Sequence, residues 1–190
     1  MIDYSREALL SLRREYEENQ LGTKDLLIYN SPGEVCLMKK VLIAYFSLTG
    51  RTETMAQYIA EGVRFSGPEA VIKKIADIKR ATDLAGYDGY IIGAPTFSLD
   101  LPKPVKTFLV LMGNAKVEGK MGGAFGTYRH DVAYKHDAYA PSIIINVLEN
   151  EHKMNPFELG PFILQEDKVE TSEGMKTCQD YGRVFGEKLG

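Results

Sequence analysis

The chain has 190 residues, 44% of them hydrophobic and 26% charged, with a formal net charge of −3. Those are the values of an ordinary globular protein with one full core and room for a short appendage. No stretch approaches the roughly 20 apolar residues that span a bilayer, which argues against a membrane protein. The start Met1-Ile2-Asp3-Tyr4-Ser5-Arg6-Glu7 has neither the basic end nor the apolar run of a secretory signal, so the expected compartment is the cytoplasm. Cys36 and Cys178 are the only cysteines. A disulfide scaffold or an iron–sulfur site is therefore not indicated, and redox chemistry would need a borrowed cofactor.

Residues 1–38 read as an N-terminal arm. Ser5 can cap a helix that carries Leu9, Leu12 and Tyr16 on one face, and Gly22 can end it. Two short apolar runs, 26–29 and 35–37, flank Asn30-Ser31-Pro32-Gly33-Glu34, where Pro followed by Gly suits a type II turn. The apolar helical face needs burial, either on the protein's own core or on a partner subunit, and a homodimer built through the arm is the bolder expectation. Residues 1–37 hold seven acids and four bases, which leaves 19 of each in the remainder. That balance gives no single-sign field to attract nucleic acid.

From residue 39 onward strands and helices alternate, the order of a doubly wound parallel sheet. Residues 41–46 form a continuous apolar run, as a strand covered on both faces should. A helix follows over 52–64 with Met55, Ile59 and Val63 at helical spacing, then a more edge-like strand over 71–75. Residues 89–94 form the third strand, and Val105, Phe108, Leu109 and Met112 mark the next helix. The glycine-rich run 121–126 is the fourth strand, followed by a polar loop to about residue 140. Pro141 opens a helix with Ile143, Ile144, Val147 and Leu148, and residues 162–164 are the fifth strand. The last helix starts at Thr171 or Ser172 and places Met175, Cys178, Gly182, Phe185 and Leu189 on one stripe, making Cys178 a core residue.

Three loops leave the carboxyl ends of strands, where such sheets bind ligands. Ser47-Leu48-Thr49-Gly50-Arg51-Thr52 offers three hydroxyls and free helix N–H groups to a phosphate monoester, with Gly50 allowing the backbone to curl. Serines and threonines also form turns and cap helices, so the loop admits that plainer reading too. The nucleotide-hydrolase pattern Gly-x-x-x-x-Gly-Lys and the dinucleotide pattern Gly-x-Gly-x-x-Gly are both missing here. In the second loop Pro95 stiffens the turn, Thr96 and Ser98 offer hydroxyls, and Phe97 either lies against a flat heterocycle or packs under the next helix. In the third, Thr127-Tyr128-Arg129-His130-Asp131 could cover a bound ring with Tyr128 and meet its rim with Arg129 or His130. His130, Asp131, His136 and Asp137 lack a defined metal-ligand spacing and read as solvated loop.

Together, Ser47-x-Thr49-Gly50-x-Thr52 after an apolar strand, Ala94-Pro95-Thr96 after the third and Phe125-Gly126-Thr127-Tyr128 after the fourth resemble the three FMN loops of the flavodoxin family. The likeness covers roughly residues 39–189. It implies a flavodoxin-like five-stranded parallel sheet with helices on both faces. It also implies an FMN whose phosphate is held by Ser47, Thr49, Gly50, Arg51 and Thr52 and whose flavin lies between 95–98 and 127–131, flanked by Phe97 and Tyr128. The stretch 162–189 is similar to the end of the flavodoxin module in flavo-diiron proteins. The implied role is electron transfer between soluble redox partners, with the flavin doing the chemistry and no side chain catalytic. The alternative is an FMN-dependent oxidoreductase acting on a small substrate such as a quinone or a porphyrinogen, for which the 127–140 loop would supply a pocket. A flavin-free docking module would leave the hydroxyl loop idle. Departures from the family are the neutral charge balance of residues 38–190, the absence of glycine in 94–102, and the arm.

Overall fold

The structure, a computed structural model, describes residues 27–29, 35–97, 100–129 and 139–190. The chain divides into two compact units, Met1–Met38 and Lys39–Gly190. In the first, β1 (Leu27–Tyr29) pairs antiparallel with β2 (Val35–Leu37), Ile28 opposite Cys36. The helix expected over 5–22 and the turn 30–34 lie outside the described residues.

The second unit is built on β3 (Lys40–Tyr45), α1 (Arg51–Phe65), β4 (Glu69–Lys74), β5 (Gly89–Gly93), α2 (Lys103–Met112), β6 (Met121–Tyr128), α3 (Ala140–Asn150), β7 (Asn155–Pro156), β8 (Phe162–Gln165) and α4 (Ser172–Leu189). The strands are parallel in the order β4-β3-β5-β6, and both β7 and β8 pair with β6. Ile43 lies level with Ile72 on one side and Ile91 on the other. Side-chain alternation splits the core between the two faces. Leu42, Ala44, Tyr90, Ile92 and Ala124 meet α2 and α3, while Val41, Ile43, Tyr45, Ile91 and Phe125 meet α1 and α4. Each fully buried aliphatic of this kind contributes about 1.5–3 kcal/mol relative to exposure.

The fifth strand is interrupted rather than continuous. Phe157 turns inward, its ring 5.1 Å from that of Tyr181 and 5.0 Å from that of Phe185. Its N–H donates to the Gly122 carbonyl at 2.8 Å, and Gly160 (φ 69°) closes the turn by donating to the Phe157 carbonyl at 2.8 Å. Burying that aromatic pulls residues 157–161 out of the ladder, leaving β7 and β8 on either side. Residues 162–164, expected as the strand, are its longer piece.

The last helix also differs in detail. Its buried stripe is Gly174, Cys178, Tyr181, Gly182, Phe185 and Gly186, and Met175 is 37% exposed. Cys178 is a core residue, and burial pushes its thiol up to about 12. α1 and α4 lie in near-backbone contact: a Cβ at Gly62 would stand 1.9 Å from the Gln179 carbonyl oxygen, and one at Gly182 would stand 2.0 Å from that of Ile59. Among the described residues no helix is long and apolar enough to cross a membrane.

The chain leaves β3 towards β4 on one side and returns to β5 on the other. The strand order therefore reverses between β3 and β5, and sheets of this kind bind ligands outside the carboxyl ends of the strands at such a reversal.

Candidate functional site

The loop from β3 into α1 is shaped by Gly50, whose left-handed backbone (φ 89°, ψ −18°) would strain any L side chain. Ser47 Oγ accepts a hydrogen bond from the Gly50 N–H at 3.0 Å and so fixes the bend. The first helical bond runs from the Thr54 N–H to the Gly50 carbonyl at 2.9 Å. The N–H groups of Arg51, Thr52 and Glu53 precede it and have no helical carbonyl behind them, and no side chain caps this end. Thr52 is buried, its hydroxyl 3.3 Å from that of Thr127, and these are the two buried polar residues among those described. Thr49 and Leu48 are exposed.

Glu53 would set a negative charge in this first turn, but its carboxylate is already engaged. Tyr45 donates its phenol to it at 2.6 Å and Lys74 Nζ lies 3.5 Å away. The Tyr45 bond holds the Glu53 carboxyl below its ordinary range, while burial first and Glu53 second raise the Tyr45 phenol. The Glu53 carboxylate is thus turned to Tyr45 and Lys74.

The second loop is tied across the sheet. Pro95 is buried, the Thr96 N–H donates to the Thr127 carbonyl at 2.8 Å, and the Thr96 hydroxyl accepts from the Ala140 N–H at 3.1 Å, serving the start of α3. Phe97 is 60% exposed, so it does not pack under the following helix. Its backbone and that of Asp100 exchange both hydrogen bonds, at 3.3 and 3.0 Å, closing a tight turn. Asp100 accepts from Lys106 and from the Leu101 N–H, which together hold its carboxyl low. Ser98 lies outside the described residues.

In the third loop the Tyr128 ring leans on that of Tyr139, centroids 5.1 Å apart and planes at 38°. Arg129 Nε donates to Glu166 at 2.8 Å. His130 and Asp131 are outside the described residues, as are His136 and Asp137. The structure therefore joins Thr52, Thr96 and Thr127 by hydrogen bonds, pairs Ser47 with Gly50, and puts Phe97 and Tyr128 on the second and third loops.

Sequence reasoning missed the segment that follows β8. Arg51, Arg129, Gln165, Glu166 and Asp167 line an open crevice of about 410 Å³, and Arg51 forms an ion pair with Glu170. The available signal was position: these residues follow a strand's carboxyl end, as the three loops do.

The residues present fit a flavin mononucleotide's phosphate. A first turn with no side-chain cap, a glycine bend, hydroxyls nearby and an arginine on the helix's first residue are the groups from which an anion site is built without a lysine.

The flavodoxin domain family matches residues 42–121. The NAD(P)H dehydrogenase (quinone) of Acidovorax ebreus is 34% identical over 133 residues, covering 58% of this chain and 66% of that protein. Its namesake from Gluconacetobacter diazotrophicus is 31% identical, with 58% and 67% covered. The chain thus spans about two thirds of the length of these relatives. Among solved structures, oxidised flavodoxin 1 from Bacillus cereus superposes with a TM-score of 0.67 at 28% identity, covering 80% of this chain and 100% of that one. The flavodiiron protein of Giardia intestinalis gives 0.66 at 20% identity over 80% of this chain and 36% of its own. At that identity the likeness is one of fold.

Proposed function

The chain belongs to the flavodoxin family, and from that premise we propose that residues 39–190 hold one FMN and pass electrons between soluble redox partners, with residues 1–38 as an appended arm. When bound, FMN supplies one- and two-electron redox chemistry that no side chain here can supply. The protein's part is to bind and orient. The N–H groups of Arg51, Thr52 and Glu53, the hydroxyls of Ser47, Thr49 and Thr52 and the Arg51 guanidinium hold the phosphate. Residues 95–98 and 127–131 hold the ring, with Phe97 and Tyr128 against its faces. The Thr96 N–H bond to the Thr127 carbonyl joins the two ring loops, and the Ala140 N–H bond to the Thr96 hydroxyl anchors the second of the three loops to the start of α3. The observation that carries this reading is the uncapped start of α1 at the sheet's reversal point. A cytoplasmic location and dimerisation through the arm belong to the same proposal.

A second reading is favoured by the likeness to NAD(P)H dehydrogenases (quinone): an FMN-dependent oxidoreductase that reduces a quinone with NAD(P)H. One titration and one assay separate them. Purified protein mixed with FMN should quench the flavin fluorescence with a single site per chain, and failure to bind would overturn both readings. The FMN-loaded protein should oxidise NAD(P)H with a quinone only slowly if it is a carrier. Turnover on the order of 1–10³ s⁻¹ would establish the enzyme instead.

A further inference from the structure

Arg51 has two claims on its charge. It is the first residue of α1, beside the phosphate cradle, and its guanidinium is ion-paired with Glu170 from the turn that leads into α4. The side chains are 34% and 60% exposed. Glu170 does not need Arg51 to be held. The next residue, Thr171, donates its hydroxyl to the Lys168 carbonyl at 2.7 Å and accepts the Gly174 N–H at 3.0 Å, so the turn is fixed by its own bonds. Further along, Gly62 and Gly182 hold α1 and α4 at backbone contact. Arg129 is held in the same way by Glu166, and Asp167 lines the same crevice. The segment after β8 therefore presents carboxylates to both arginines of a site that, on the reading above, must take a phosphate.

We propose that Glu170 competes with the FMN phosphate for Arg51 and so tempers the affinity of the site for phosphate-bearing ligands. This rests on the FMN reading. Binding the phosphate exchanges one ion pair of Arg51 for another: the guanidinium leaves Glu170 and turns to the phosphate at its own helix start. The net gain is the difference between two charge pairs rather than a whole one. Riboflavin, which brings no phosphate, leaves the Arg51–Glu170 pair intact.

The test is the dissociation constant of FMN and of riboflavin for wild type, Glu170→Gln, Arg51→Gln and the double variant, read by flavin fluorescence quenching at low salt. Glu170→Gln should tighten FMN by about two- to five-fold, the range of an exposed ion pair, and leave riboflavin unchanged. Raising the salt to about 0.5 M should erase the gain. Arg51→Gln should weaken FMN, and in that background Glu170→Gln should add nothing, since the residue it frees is gone. Glu173→Gln, which removes a carboxylate from the first turn of α4, should have a smaller effect. FMN bound equally or more weakly by Glu170→Gln would overturn the proposal, as would an equal gain from Glu173→Gln. A wild-type protein that binds no FMN would instead overturn the reading on which the proposal rests.

Discussion

The starts of α1 and α4 lie side by side on one face of the sheet and are finished in opposite ways. At α4, Thr171 sits in extended backbone and accepts the Gly174 N–H, so the sequence closes its own helix. At α1 the same place is taken by Gly50 in a left-handed conformation, with no side-chain cap. Ser47, three residues back, bonds the Gly50 N–H and not the first-turn donors. α1 therefore leaves its first turn without a side-chain cap, among hydroxyls and at a topological reversal, the arrangement that suits an anion from outside.

Forcing the two helices apart should have the largest effect. Gly182→Ala would drive a methyl group into the Ile59 carbonyl, and overpacking at a backbone contact costs about 2–3 kcal/mol. Denaturant midpoints should fall accordingly, and FMN binding should weaken in parallel. An unchanged midpoint would show that the helix contact is looser than the structure has it.

Thr171→Ala sharpens the contrast at smaller scale. Losing the cap should cost about 1 kcal/mol of stability without weakening FMN, since loosening the turn that carries Glu170 can only release Arg51. A loss of FMN affinity larger than the loss of stability would mean that the two starts are not independent.

The smallest effect is one of pH. Glu53 has its carboxyl held below the ordinary value of 4.5 by the Tyr45 phenol. The folded state therefore binds that proton less readily than the unfolded one. The stability gained is fully present above pH 4.5 and is lost as pH falls through the lower folded value. The gap in denaturant midpoint between wild type and Tyr45→Phe should be constant above that pH and narrow below it. A gap that persists undiminished at pH 3 would assign the Tyr45 hydroxyl a role unconnected with Glu53.

These features were not equally legible in the sequence. The strands over 40–45, 89–93 and 121–128 announce themselves because burial on both faces demands unbroken apolar or glycine runs, and Thr171 is recognisable as a cap from its residue type and place. Met175 misled because glycine carries no hydrophobic signal. The true stripe begins at Gly174, where only a missing Cβ allows approach to the Lys168 carbonyl, and periodicity passed to its bulkier neighbour. The break in the fifth strand was hidden for a related reason: Phe157 belongs to the core without belonging to the ladder. At the site, hydroxyls and glycine after an apolar strand marked the loop that the structure shapes around Gly50 and leaves without a side-chain cap. The carboxylates of Glu166 and Glu170 could not be assigned to the arginines in the same way, because their partners lie 37 residues away for Arg129 and more than a hundred positions away for Arg51.

If the open start of α1 holds a phosphate, as proposed, the hydroxyls beside it must distinguish FMN from riboflavin. Thr49→Ala combined with Thr52→Ala, measured by fluorescence quenching with FMN and with riboflavin, tests it most directly. Losing hydroxyl bonds to a charged phosphate should weaken FMN by a factor of at least about ten more than riboflavin, since such bonds contribute about 1.5–3 kcal/mol each. Equal losses for the two ligands would contradict the account.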